Sequence, residues 1–131
     1  MPSTTIEIRC SYSQTEEIAI IEAVQAALVA GFKIPLGDRC VRLIEHAPHR
    51  FIALSRLTQP ERYTVITITA FAGRSIDAKR NLYREIVERL EPLGIPRDHT
   101  KIILHEVARE NWGLGGGKPA SEIELNFKID V

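Results

Sequence analysis

Met1-Pro2-Ser3-Thr4-Thr5-Ile6-Glu7-Ile8 opens the chain, and the residues that follow are read outward from it. From Thr4 to Cys10 the side chains alternate: Ile6, Ile8 and Cys10 face one way, Thr5, Glu7 and Arg9 the other, the period of a half-buried strand. Ahead of that strand stands a proline. If Met1 is removed, Pro2 presents a secondary amine held in a ring, compact and able to take or give a proton. An α-amine titrates at about 7.7–8 when unperturbed. Burial or a neighbouring cation lowers that value, which would place a general base near neutral pH. With Met1 retained, Pro2 is an amide and cannot be a base.

The composition limits the alternatives. One domain is expected for 131 residues, 44% of them hydrophobic. Seventeen basic and seventeen acidic residues cancel, so the excess of positive charge that holds a phosphate backbone is missing and nucleic acid is not an expected partner. Cys10 and Cys40 match no metal spacing and are read as reduced thiols of a cytoplasmic protein. A signal peptide and a membrane span are not expected, because the longest apolar run, Ala23 to Phe32, is interrupted by Gln25 and Gly31 and is short.

Ser13-Gln14-Thr15-Glu16 has the form of a capping box. The helix it opens is expected to bury Ile18, Ile21, Val24, Leu28 and Phe32 and to stop at Gly31 and Pro35. Arg39 to Glu45 reads as a strand, His46 to Arg50 as a turn, Phe51 to Leu54 as a short returning strand, and Thr58 to Arg62 as a connection. Tyr63 to Phe71 is a further strand, with Ile66, Ile68 and Ala70 on one face. Ser75 caps a second helix with Leu82, Tyr83, Ile86, Val87, Leu90 and Leu93 along its apolar side, ended by Gly94 and Pro96. Thr100 to Val107 is a fourth strand.

The second half repeats the first. Ile34-Pro35 is followed by Asp38 and, ten residues after the proline, by Glu45; Ile95-Pro96 is followed by Asp98 and, again ten residues on, by Glu106. Aligning Ser13 with Ser75 sets Ile6 on Ile68 and Ile8 on Ala70. The expected fold is α+β: duplicated β-α-β units, the first about 2–57 and the second about 63–107, with right-handed crossovers and parallel strand pairs. They form one four-stranded mixed sheet with both helices on one face. The other face, with Thr5, Glu7, Arg9, Thr67, Thr69 and Phe71, has no helix to cover it, which points to other subunits. The tail, about 108–131, alternates Ile123, Leu125, Phe127 and Ile129 and reads as a strand with no place in its own sheet, free to pair with a neighbour's.

Taken together, Pro2, Ile34-Pro35-Leu36-Gly37-Asp38-Arg39, Glu45-His46-Ala47-Pro48, Arg74-Ser75 and Asn111-Trp112-Gly113-Leu114-Gly115-Gly116-Gly117 resemble the tautomerase superfamily. That superfamily includes 4-oxalocrotonate tautomerase and macrophage migration inhibitory factor. Within it the likeness is greatest to the malonate semialdehyde decarboxylase-like group, and it covers almost the whole chain. The resemblance implies a homotrimer, a catalytic amino-terminal proline at Pro2, a small carboxylated substrate, and no cofactor or metal.

Arg74, just before a helix N-cap, is suited to a substrate carboxylate through its planar fork, and the helix N-terminus behind it favours anions. Against this stands the ordinary solvated loop arginine. The decarboxylases of the group carry a second arginine two positions earlier, where this chain has Ala72. Asp38 matches an aspartate that orients water or the proline, although an aspartate after Pro-Leu-Gly also suits a plain turn. Trp112 and Leu114 are candidates for an apolar pocket wall, or the indole packs at a subunit interface. Gly113 to Lys118 is no phosphate loop, since Trp112 and Pro119 occupy the places of the first glycine and the hydroxyl. His46 and His49 lack a third ligand, and His99 and His105 read as surface or strand residues. The expected activity is a tautomerase in which Pro2 moves a proton on a 2-keto acid or enol, Arg74 binds the carboxylate and Asp38 assists. A decarboxylase or hydratase of a 3-oxo acid, and a non-catalytic binding module on the same scaffold, are the alternatives.

Overall fold

The computed structural model describes residues 1–125 and 127–131. β1 (Ser3–Ile8) leads through α1 (Gln14–Phe32) to β2 (Val41–Glu45), and β3 (Thr64–Phe71) through α2 (Ile76–Leu90) to β4 (Thr100–Val107). The sheet runs β2-β1-β3-β4, with β1 and β3 antiparallel at the centre and a parallel partner on each side. Thr5 lies opposite Thr67. These two residues, like the caps Ser13 and Ser75, are 62 positions apart, so a local two-fold axis passes between them.

Alternation in the strands puts Ile6, Ile8, Ile66 and Ile68 under both helices, where they meet Val24, Leu28, Leu82 and Ile86 with almost no exposure. Each such side chain contributes on the order of 1.5–3 kcal/mol. Ser13 closes its capping box with Glu16, and Ser75 accepts from the Ala78 N–H at 3.1 Å. Among the described residues no helix covers the opposite face of the sheet. Ile44 and Ile103 stand out from it, 46% and 40% exposed, on the same face as Glu7, Arg42 and Thr67.

Several elements differ from the sequence-based expectation. β1 ends at Ile8, and Arg39 and Cys40 precede β2 rather than belonging to it. Phe51–Leu54 forms no strand; Phe51 instead packs its ring between His46 and Tyr63. α1 buries Ile20, Val24, Ala27, Leu28 and Phe32, and Ile18 is 52% exposed. Its alanine-rich sequence is apolar nearly all round, so periodicity could not fix the buried face. Gly31 does not stop this helix, which runs on to Phe32 and turns at Lys33 with φ 56°. Phe71 is not part of the open face, because Trp112 covers it edge-on with ring centroids 5.0 Å apart. The expected strand from Ile123 to Ile129 is absent among the described residues, and Asn126 within it lies outside them. A short hairpin, β5 (Gly113–Leu114) with β6 (Lys118–Pro119), precedes the tail. It turns through Gly115, Gly116 and Gly117, all at positive φ.

Gly31 is where the helices touch. A Cβ there would lie 2.7 Å from Leu82 Cα. In a free helix Gly→Ala gains about 1 kcal/mol, but here the added carbon meets backbone. Gly31→Ala is expected to destabilise the chain by about 1–3 kcal/mol in chemical denaturation; a gain in stability would show that the helices separate at little cost.

Candidate active site

The β1–β3 register delivers the site. Ser3 pairs with Thr69, and continuing that register sets Pro2 and Met1 beside Ala70 and Phe71. β3 then ends, and three residues later Arg74 stands next to the start of β1. Arg74 is 5% exposed. Its Nη1 donates to the Phe71 carbonyl at 3.2 Å, and its guanidinium lies 4.3 Å from the centroid of the Phe32 ring. Nε and Nη2 have no hydrogen-bond partner among the described residues. A buried guanidinium with two unmet donors is costly unless something anionic joins it. Burial pulls its pKa below the usual value, while Glu106 and Asp38 pull back.

Asp38 reaches the same place from the turn after α1. Its N–H donates to the Pro35 carbonyl at 3.0 Å, and its own carbonyl accepts from the buried Gln25 side chain at 3.0 Å. This fixes the backbone and aims the carboxylate at the chain's amino end, with Oδ2 3.5 Å from the Met1 amine. The amine's pKa is lowered, first by burial; Asp38 opposes this and Arg74 adds to it. Pro2 itself is buried behind Met1, in a peptide bond.

Met1 and Asp38 line a cavity of about 470 Å³ together with Leu114 and the tail residues Ile123, Leu125 and Phe127. Pro2, Asp38, Arg74 and Leu114 are therefore grouped at one end of the sheet. Trp112 does not line this cavity; it closes over Phe71, and its carbonyl accepts from the Ala120 N–H at 2.7 Å. The tail residues were not anticipated as site residues. They are held on their own chain: Arg109 Nη2 donates to the carbonyls of Ala120 and Ile123, both at 3.0 Å, and an oxygen of Val131 accepts from the Ser75 N–H and hydroxyl at 3.0 and 2.7 Å. A basic residue beside an alternating apolar tail was the available signal.

His99, expected as a surface or strand residue, is fully buried in the turn just before β4. Its Nε2 accepts from the Gln59 N–H at 3.1 Å, which leaves the proton on Nδ1 to donate to Asp98 at 2.7 Å and hold that carboxyl's pKa low. It ties the connection between the halves to β4. Among the described residues, no cluster of His, Cys, Asp or Glu is placed to hold a metal ion, and no helix is long and apolar enough to cross a membrane.

The fold is shared with known proteins. Residues 38–115 match the model of the tautomerase enzyme family. A probable tautomerase of Ralstonia nicotianae is 32% identical over 53 residues, 40% of this chain and 76% of that protein. The crystal structure of FG41 malonate semialdehyde decarboxylase inhibited by 3-bromopropiolate superposes with a TM-score of 0.81 at 29% identity, covering 94% of this chain and 98% of its own. A wild-type fused 4-OT described as an asymmetric trimer shares the fold at 21% identity, with a TM-score of 0.80 over 91% of this chain and 96% of its own.

The opposed charges around the amine predict opposite shifts. Asp38→Asn should lower the amine's pKa further, and Arg74→Gln should raise it. The check is the pH dependence of amine acylation in the Met1-bearing protein, with circular dichroism to confirm that both variants fold; shifts of the same sign would show that neither charge faces the amine.

Proposed function

The chain belongs to the tautomerase family, and on that premise we propose that it moves a proton on a small 2-oxo acid or its enol, with the amine of Pro2 as general base. The observation that carries this is the chain's amino end, set between a carboxylate and a buried arginine with two unmet donors. Removal of Met1 would uncover the Pro2 nitrogen toward the cavity that Met1 lines. In the forward direction that nitrogen takes a proton from the carbon next to the carbonyl. The electrons move onto the carbonyl oxygen, and the amine returns the proton to that oxygen, so the net reaction is isomerisation. Arg74 takes the substrate carboxylate on Nε and Nη2 and offsets the negative charge of the enolate. Asp38 opposes the pKa loss caused by burial, so that the amine can be protonated as well as deprotonated within one cycle.

A second reading, decarboxylation or hydration of a 3-oxo acid, draws on the 29% identity to a malonate semialdehyde decarboxylase. Ala72 stands against it, since the second arginine of that group is replaced by a methyl group. We also propose a homotrimer, supported by the uncovered sheet face and by the trimeric fused 4-OT relatives.

The deciding comparison is one protein with and without Met1 on the same enol. The form beginning at Pro2 should turn over at a rate that rises through neutral pH as the amine loses its proton. The form retaining Met1 should be inactive though folded, and equal rates would remove Pro2 from the mechanism. In the active form Arg74→Ala should lower kcat/KM by roughly 2–5 kcal/mol, the typical loss for a desolvated charged partner. Separately, light scattering should return three times the mass of one chain; a monodisperse monomer would rule out the trimer.

A further inference from the structure

Phe32 is the last residue of α1 and is fully buried. By periodicity it is one more core side chain. The structure sets its ring under the Arg74 cation, 4.3 Å from centroid to guanidinium carbon. A carboxylate in that place would hold the cation more tightly, but it would occupy the N–H groups facing it. A ring face attracts the cation through its quadrupole and takes no N–H in a hydrogen bond. Nη1 therefore donates to the Phe71 carbonyl, while Nε and Nη2 have no partner among the described residues. The acidic groups that bear on Arg74 are Glu106 on β4, itself bound by Lys79 of α2 at 2.7 Å, and Asp38 in the turn after α1. Two local features fix the ring's place. Gly31, just before it, seats α1 directly on the Leu82 backbone of α2. Lys33, just after it, ends the helix in a left-handed conformation that is unfavourable for a non-glycine residue. The last turn of α1 has no basic residue of its own, so the positive charge favoured at a helix's carboxyl end is supplied there by Arg74.

We propose that Phe32 is a positioning residue for the carboxylate subsite: the face of its ring holds the Arg74 cation in place and leaves Nε and Nη2 open to the substrate. This rests on the proton-transfer reading given above, in which Arg74 takes the carboxylate, and it assigns a role to a side chain that acts only through Arg74. An aliphatic residue of similar size would fill the core as well. It would offer the buried cation nothing in exchange for lost hydration, and the guanidinium would turn toward water.

The test reads the amine first, in the Met1-bearing protein, where no turnover is needed. The amine's pKa is lowered by burial and, against the pull of Asp38, by Arg74, so a cation released from the ring should let it rise. Two changes are compared: Phe32→Leu, and pentafluorophenylalanine placed at position 32, which nearly keeps the ring's shape and reverses the charge of its face. Both should move the pH dependence of amine acylation upward, as Arg74→Gln does, with circular dichroism confirming the fold. In the Arg74→Gln background neither should move it further. In the form beginning at Pro2 the same changes should lower kcat/KM on the enol of pyruvate by about three- to thirtyfold, the range of a desolvated cation–π contact. A fluorinated ring that leaves the amine where it was, or shifts that add in full to that of Arg74→Gln, would overturn the proposal and leave Phe32 as core filling. If the unaltered form turns over no enol, the proton-transfer reading fails on its own account; an upward, non-additive shift of the amine then still upholds Phe32 as the support of Arg74.

Discussion

The antiparallel pairing of β1 with β3 is the contact on which the rest of the structure depends. It joins two β-α-β units that could not each bury a helix face alone, and it makes a single core beneath both helices. Its register, centred on Thr5 and Thr67, sets where β1 begins relative to where β3 ends. A slip of one residue would turn Ile6 and Ile8 out of the core. The hydrophobic demand of the core therefore also fixes the distance between the chain's amino end and Arg74. Packing and chemistry are tied through one ladder of hydrogen bonds.

Arg74 shows what that arrangement costs and what it allows. A guanidinium is rarely buried without a full set of acceptors. Here one donor goes to the Phe71 carbonyl, the cation faces the Phe32 ring, and two nitrogens have no partner among the described residues. The stabilisation that holds it in place comes from elsewhere, from the helix crossing at Gly31 and Leu82 and from the apolar layer beneath. A folded core can hold such a group in an unfavourable setting, which leaves its donors available to a ligand.

Much of this was legible in the chain. Strict alternation in β1 and β3, the capping residues Ser13 and Ser75, and the repeat of Ile-Pro followed by Asp and Glu were local signals, and local signals fix elements and their order. Pro2 and Arg74 were legible as candidates from their places at an element's end, and Asp38 through the resemblance to the tautomerase superfamily. What could not be read was tertiary. An alanine-rich α1 has no single apolar stripe, so the choice of Ile20 over Ile18 was made by the sheet it packs on. His99 is buried because the connection between the halves folds over it, and Gln59, which orients it, lies 40 positions away. Trp112 packs edge-on against Phe71 rather than lining the cavity, and the tail's alternation marked its apolar side without saying what it would lie against.

The local two-fold between Thr5 and Thr67 carries a further consequence, one of stoichiometry. Shifting by the same 62 positions takes Pro2 to Thr64 and Arg74 to Tyr12. Thr64 follows Tyr63 in continuous chain, so its nitrogen is an amide that no removal of a leader residue can free. Joining two units end to end leaves one free amine for two geometrically related sites, and the related position has changed its chemistry: Tyr12 lies under the Arg62 guanidinium, 5.1 Å from ring centroid to cation, near the cap of α1. In the trimer proposed above, the assembly would then present three proton-transfer centres among six equivalent corners. On that reading the three silent corners would be relieved of catalysis, their sequence could change at little cost to turnover, and their side chains would be free to serve stability instead.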